Sequence, residues 1–410
     1  MWERIFDSMI QRLIVDGRLE ITYPDGTRRG FGPGGEMSAA LHITDQATLR
    51  GLCLYPELTL GEGYMDGRIE IGGNAELEAL LKLLIRNRKP DAFPAWVRAV
   101  DRMRFHLRAI VQRNTAVSAK SNVSHHYDIS DELYRLFLDD DMQYSCAYFP
   151  RPDLSLEEAQ DAKKAHIAAK LMIEPDCHVL DIGCGWGGMA LTLARDHGAR
   201  VTGVTLSENQ LATARARAEA EGLADRVTFE LRDYRDVAET FDRIVSVGML
   251  EHVGVPHYDE YFGKVSDLLA PDGVALIHTI GRSAPPMAHS PWIHKYIFPG
   301  GYVPSLSELA PAVEASGLWQ CDIEVWRLHY ALTIRHWRDR FDARLDAVRR
   351  MYDDRFVRMW RYYLTACIMA FDEQHQAVYH LQLAHRRDAV PITRDYLHPT
   401  GKAAHIQAAE

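Results

Sequence analysis

In the stretch VLDIGCGWGG, residues 179–188, an apolar run ends in Asp181 and passes through Gly183, Gly185, Gly187 and Gly188 into a helical segment from Met189 to Arg195. Glycine lacks a β-carbon and tolerates positive φ, so such a cluster at a strand end lets backbone amides approach a ligand at the positive N-terminus of the next helix. The spacing GxGxGG departs from the GxGxxG of dinucleotide loops. An acid two residues before the first glycine would repel a pyrophosphate and suits a cationic ligand, such as the amino group of S-adenosylmethionine. A glycine-rich turn with no ligand is the alternative.

A second set of candidates follows from strand order. In an open parallel sheet ligands bind outside the carboxyl ends of the strands. After the glycine loop, the next strand ends in Thr205, with Ser207 and Gln210 beyond it, and the third in Asp233 and Tyr234. The fourth ends in Gly248–His252 (GMLEH) and the fifth in His278, Thr279 and Ile280. No acid stands at the tip of the second strand, so Thr205 and Gln210 would have to meet ribose hydroxyls. Glu251 and His278 each close an apolar strand and should face the cleft. A buried Glu near a His can hold an anion or tune a base if its lone pairs are satisfied, and a structural Glu–His hydrogen bond is the other reading. His125, His126 and His252 read as structural.

The elements that must position these residues form a regular alternation. Strands over 178–180, 200–204, 227–231, 243–247 and 274–278 alternate with helices over 189–195, 208–221 and 258–269, which predicts a Rossmann-like α/β core. Helices are expected over 131–138, 156–172, 305–316, 330–351 and 356–371. The arginines between Arg335 and Arg361 read as a solvated face, with a lipid headgroup role as the alternative. Toward the N-terminus, residues 1–90 read as a small α+β domain: an amphipathic helix, a hairpin about Pro24-Asp25-Gly26, short strands over 40–43 and 49–55, and a closing helix over 76–85.

Residues 91–122 form a connector. From Arg86 to Lys120 nine basic residues face two acids and are interleaved with Phe93, Trp96, Met103, Phe105 and Leu107. This basic amphipathic stretch suits an anionic membrane surface, or else a solvated linker helix. The whole chain of 410 residues carries net charge −10, with 47% hydrophobic and 25% charged residues, which describes a globular protein with no wholesale affinity for nucleic acid. Six scattered cysteines without a CxxC pair predict reduced thiols and a cytosolic setting, and no signal peptide or transmembrane run is read.

Taken in order, QYSCAYF, VLDIGCGWGG, VTGVTLSENQ, DYRD, DRIVSVGMLEHVG, HTIG, IFPGGYVPS and HYALT closely resemble cyclopropane-fatty-acyl-phospholipid synthases and their mycolic-acid relatives, from about Ser124 to Phe371. LGEGYMDGRIE, residues 60–70, looks like the amino-terminal domain of the phospholipid-acting members. The resemblance implies a class I methyltransferase core with helical additions over 123–400, preceded by the small α+β domain. It implies methyl transfer from S-adenosylmethionine to a cis double bond of an unsaturated acyl chain in a membrane phospholipid, then removal of a proton to close the ring. Tyr144, Ser145, Gly183, Gly185, Thr205, Gln210, Asp233 and Tyr234 would hold the cofactor. Cys146, Glu251, His278, Ile280 through its backbone, and Tyr330 would hold a bicarbonate ion as general base.

Aromatic faces could oppose a carbocation, and Tyr148, Trp186, Tyr296, Phe298, Tyr302 and Tyr330 are the candidates. The segment from Trp292 to Tyr302 is expected to cover an apolar channel. A homodimer, peripherally bound at the inner face of the membrane, is expected. Methyl-branched or methylene products, an inactive lipid-binding protein, and small-molecule N- or O-methylation are the other readings.

Overall fold

The computed structural model describes residues 1–88, 93–112 and 130–397. His125 and His126 lie outside them. At the N-terminus, α1 (Trp2–Leu13) lays Phe6, Met9, Ile10 and Leu13 on a small sheet of order β2-β1-β3-β4. β1 (Gly17–Thr22) and β2 (Arg28–Gly34) make the expected hairpin, β3 (Ser38–Ile43) runs parallel to β1, and β4 (Ile69–Glu70) pairs with β3. The strand expected over 49–55 is instead helix α2 (Gln46–Leu54). Asp45 accepts the Thr48 amide at 2.7 Å as its N-cap, and Leu49, Leu52 and Cys53 bury at helical spacing, which outweighs β-propensity.

Helices α3 (Pro56–Met65) and α4 (Asn74–Arg86) bind this small unit to the rest of the chain. Gly61 of α3 packs so closely that a Cβ there would overlap the Trp292 indole. Gly61→Ala is expected to cost about 1–3 kcal/mol by overpacking. A denaturation midpoint unchanged from wild type would contradict this contact.

Of the arginines expected to form a solvated face, Arg344, Arg349 and Arg350 are exposed, but others tie the small unit down. Arg335 and Arg338 clasp Glu78 of α4 at 3.1 and 2.6 Å, and Arg355 pairs with Asp66 at 2.8 Å. Arg358 donates to the Met65 carbonyl at 2.7 Å, and in the reverse direction Arg86 reaches Glu373 at 2.7 Å. Each pair alone is worth at most about 1 kcal/mol, but as a network they fix the angle at which the small unit sits. Their partners lie more than 200 positions away in the chain, so local patterning reads them as solvated.

Beyond α5 (Ala95–Val111) and the helix Asp131–Phe137 the core is a seven-stranded sheet of order β10-β11-β9-β8-β5-β6-β7. β5 (His178–Ile182), β6 (Arg200–Thr205), β7 (Val227–Leu231), β8 (Phe241–Val247) and β9 (Leu269–Arg282) are parallel, and β11 (Gln376–Ala384) is antiparallel to β9 and to β10 (Trp319–Trp326). The chain winds outward from β5 to β7 and then returns to β8, so the switch point between β5 and β8 is where a ligand crevice forms. β10 and β11 were not among the expected strands. β11 is buried on both faces, so it has no alternation to reveal it, and its polar His380 and Gln382 interrupt an apolar run. The single helix expected over 330–351 is two, His329–Ala343 and Leu345–Met351, broken at Arg344.

Among the described residues no helix is long and apolar enough to cross a membrane. All six cysteines are free thiols.

Candidate functional site

At the carboxyl ends of β5, β6, β7 and β8 lies a cavity of about 120 Å³. Gly183, Gly185, Thr205, Gln210, Asp233 and Tyr234 all line it. Gly183, Gly185 and Gly187 have φ of 80°, 55° and 87°, in the left-handed region that side chains avoid, which lets the turn fold back under the helix Gly188–His197. Thr205 donates to Gln210 Oε1 at 3.0 Å, which leaves the amide NH2 as the end that can meet a ribose-like oxygen. Asp233 is clasped by Arg235 at 2.6 Å.

Asp181 lines neither this cavity nor its neighbour. It is buried, its Oδ2 has no hydrogen-bond partner among the described residues, and burial pushes its pKa up to about 7 against the pull of Lys163. An orphaned acid directly before the loop fits a cationic amino group. Because the free site holds Asp181 protonated below about 7, a ligand ammonium must displace that proton, so affinity is lost as pH falls through this value. S-adenosylmethionine is therefore expected to bind more tightly at pH 8 than at pH 6 and to release a proton in calorimetry. Asp181→Asn should bind more weakly with the slope gone, whereas a pH-independent affinity in the wild type would contradict this.

A second, larger cavity of about 780 Å³ shares Gly248 and His252 with the first. It runs from apolar side chains of the small unit (Leu54, Leu58, Leu84), past Val97 and Phe105 of α5, to a polar end. Tyr144, Ser145, Cys146, Glu251, His278, Ile280 and Tyr330 all line it. Tyr144 and Ser145 are thus on the larger cavity and not in the glycine-loop cradle. His252, expected to be structural, stands at the junction.

Glu251 sits in the short 3-10 turn Leu250–His252 that follows β8. Its Oε1 accepts the Ile280 amide at 2.6 Å, and its Oε2 has no partner among the described residues. The Ile280 N–H is therefore spent on the carboxyl group, and Ile280 orients Glu251 instead of reaching an anion itself. Burial raises Glu251 to about 7, so near neutrality it can serve as a hydrogen-bond donor. The direct Glu251–His278 hydrogen bond held open above is not formed: His278 Nδ1 lies 2.7 Å from His380 Nε2. Burial drives His278 well below its ordinary pKa and the Tyr330 phenol and Cys146 thiol well above theirs, so all three are neutral. The Cys146 thiol donates to the Ala147 carbonyl at 3.3 Å, which does not suit a nucleophile.

Two residues that the sequence reading missed belong to this centre. Lys163, wholly buried on the helix Leu156–Leu171, reaches Gln143 Oε1 at 2.6 Å and Ser145 Oγ at 2.8 Å, and burial draws its pKa down to about 8. Helical phase could have flagged it, because Lys163 shares a stripe with Leu156, Ala159 and Ile167. The other is His380, on the strand that lacked alternation.

Of the six aromatic candidates, Phe298, Tyr302 and Tyr330 line the larger cavity. Tyr148 stacks on His166 at 4.6 Å, Trp186 packs on Tyr134 at 5.1 Å, and Tyr296 donates to Glu62 at 2.8 Å, all three away from it. Trp292, Ile293 and Gly301 join Phe298 and Tyr302 in the cavity wall. An apolar channel that ends in neutral acid, imidazole and phenol groups, and touches a glycine-loop cradle, suits an apolar chain that reacts with a group held by the loop.

The family model described as mycolic acid cyclopropane synthetase matches residues 114–381, and a domain family of unknown function (DUF7884) matches residues 5–92. The chain is 38% identical to the cyclopropane-fatty-acyl-phospholipid synthase of Escherichia coli (strain K12) over 346 residues, covering 84% of this chain and 87% of that protein. It is 35% identical to a probable fatty acid methyltransferase of Pseudomonas putida over 378 residues, covering 89% and 90%. A solved mycolic acid cyclopropane synthase in complex with SAH and CTAB superposes with TM-score 0.61 at 32% identity, covering 64% of this chain and 97% of that one.

Proposed function

From the premise that this chain belongs to the mycolic acid cyclopropane synthetase family of S-adenosylmethionine-dependent methyltransferases, we propose that it methylates the cis double bond of an acyl chain in a membrane phospholipid and closes a cyclopropane ring, with bicarbonate as the base. The observation that carries this reading is that the two cavities share Gly248 and His252, with Glu251, His278 and Tyr330 lining the larger of them.

Bound in the cradle, the cofactor supplies an electrophilic methyl group; bound beside Glu251, bicarbonate supplies a proton acceptor. The chain's own residues do the rest. The apolar walls keep water from a cationic centre, and the faces of Phe298, Tyr302 and Tyr330 can each oppose its charge by about 1–2 kcal/mol. Protonated Glu251 and the Tyr330 hydroxyl supply donors for an anion, and the Ile280 amide fixes the orientation of Glu251.

The lipid reading draws support from α5, which exposes Trp96, Met103 and Leu107 (45%, 55% and 44%) along one side and also leaves Arg98 and Arg102 exposed on other faces of the helix. This helix docks on an anionic membrane surface, at the inner face of the membrane. The chain also acts as a homodimer, for which the open edge of β2 in the small sheet offers a pairing surface; light scattering that gives a monomer mass would refute that. The reading as a whole is tested with vesicles of unsaturated phospholipid and methyl-labelled S-adenosylmethionine. Label should enter the lipid, and removal of bicarbonate should suppress ring formation; absence of lipid label with bicarbonate present would refute it.

A further inference from the structure

Behind His278, on the side away from the channel, lies a second layer of polar groups. In the β9–β11 ladder His278 is paired directly with His380, and their rings share one contact, Nδ1 to Nε2, at 2.7 Å. The other His380 nitrogen, Nδ1, has no hydrogen-bond partner among the described residues and stands 4.0 Å from Glu324 Oε2 on β10. The same oxygen is ion-paired with Lys170 Nζ at 2.6 Å and lies 2.8 Å from His166 Nε2. His166, Glu324 and His380 could be taken for a metal site, but the Lys170 ammonium already stands where the cation would go.

Two neutral imidazoles in contact must share a single proton, so there are two arrangements. If His380 Nε2 donates, its Nδ1 lone pair faces the Glu324 carboxylate, which is unfavourable. If His278 Nδ1 donates, His380 carries its proton on Nδ1, facing the carboxylate, and His278 Nε2 is left with a lone pair toward the channel. Burial keeps both rings neutral, and Glu324 stays ionised near pKa 2 beside His166 and Lys170 despite its burial.

We propose that His380 and Glu324 are positioning residues that set the tautomer of His278, so that His278 presents a proton acceptor, not a donor, to the catalytic centre. The proton lost from the new methyl group would go to the bicarbonate base of that reaction while the C–H electron pair closes the ring, and it can then pass on to His278 Nε2, which becomes an imidazolium whose Nδ1–H faces His380. This rests on the ring-forming reading above. The charged and titratable groups around His380 are Lys163, His166 and Lys170 on the helix Leu156–Leu171, Asp322 and Glu324 on β10, and His278 on β9.

The test uses the full chain without substrate, labelled at histidine with 15N. Long-range proton–nitrogen spectra should show His278 and His380 both in the Nδ1–H form, and Glu324→Gln should redistribute the His380 tautomer. A wild-type His278 found in the Nε2–H form overturns the proposal. In turnover, His380→Phe should lower ring-forming kcat by about 10²-fold, the scale of general-base catalysis, with lipid KM unchanged and more acyclic methylated product. Glu324→Gln should move the acid limb of kcat to lower pH, because the anion that favours a protonated pair is gone. If both variants keep the wild-type rate, pH profile and product, the positioning role fails. If the wild type makes no ring, the functional reading fails instead, and the tautomer result stands apart from it.

Discussion

Glu251→Gln is expected to lower ring formation by about 10²–10³-fold while leaving S-adenosylmethionine affinity within about twofold, on the scale of removing one preorganised group from an enclosed site. Glutamine keeps the shape, and its oxygen can still accept the Ile280 amide, so the turn after β8 should hold. What it removes is the acid whose Oε2 has no hydrogen-bond partner among the described residues and whose burial holds its proton up to about 7. That protonated acid can donate to a bound anion, so anion binding should weaken as pH rises through about 7, and this part of the pH dependence should vanish in the variant. Linkage gives a second sign: the folded pKa is raised, so Glu251 favours the folded chain below its ordinary pKa of 4.5, and that contribution is lost as pH rises toward 7. Glu251→Gln should therefore flatten stability over this interval. Kinetics showing a changed lipid KM with kcat intact would place Glu251 in substrate binding and contradict the assignment.

The second large effect concerns the membrane. Arg98→Glu with Arg102→Glu should reduce partitioning onto anionic vesicles nearly 10³-fold. Each basic residue near an anionic leaflet contributes about 1 kcal/mol, so two reversals remove two attractions and add two repulsions, about 4 kcal/mol in all. Arg104 is unsuitable for this test, since it donates to the His289 carbonyl at 2.7 Å and helps hold the cavity wall. The Arg108 side chain lies outside the described residues. High salt should mimic the reversal, and Trp96→Ala should weaken binding without changing its salt slope. Vesicle affinity indifferent to both reversals would remove α5 from the docking surface.

What the sequence made legible was whatever depends on local chemistry. The loop at Gly183–Gly188 was readable because positive φ and close approach admit few residues but glycine, and Glu251 and His278 because each ends an apolar strand. Gly183, Gly185, Thr205, Gln210, Asp233 and Tyr234 do converge on one cavity, as strand order implied. What escaped depends on distant partners or on doubly buried strands. His380 sits in β11, which shows no period of two, and Arg355 looks solvated until Asp66 is brought to it across the fold. Leu49–Tyr55 misled because a short apolar run serves a helix or a strand equally, and the Asp45 cap with burial at helical spacing decided it. Lys163 was not singled out, although its helical phase placed it inside.

The central claim is that the junction at Gly248 and His252 delivers a methyl group to an acyl double bond and that the Glu251 group then closes the ring. High-field proton NMR of phospholipid recovered after reaction with 13C-methyl S-adenosylmethionine tests it most directly. The account predicts label in the upfield ring methylene protons, dependent on bicarbonate and lost in Glu251→Gln; label confined to a branched methyl or an exocyclic methylene in the wild type would contradict it.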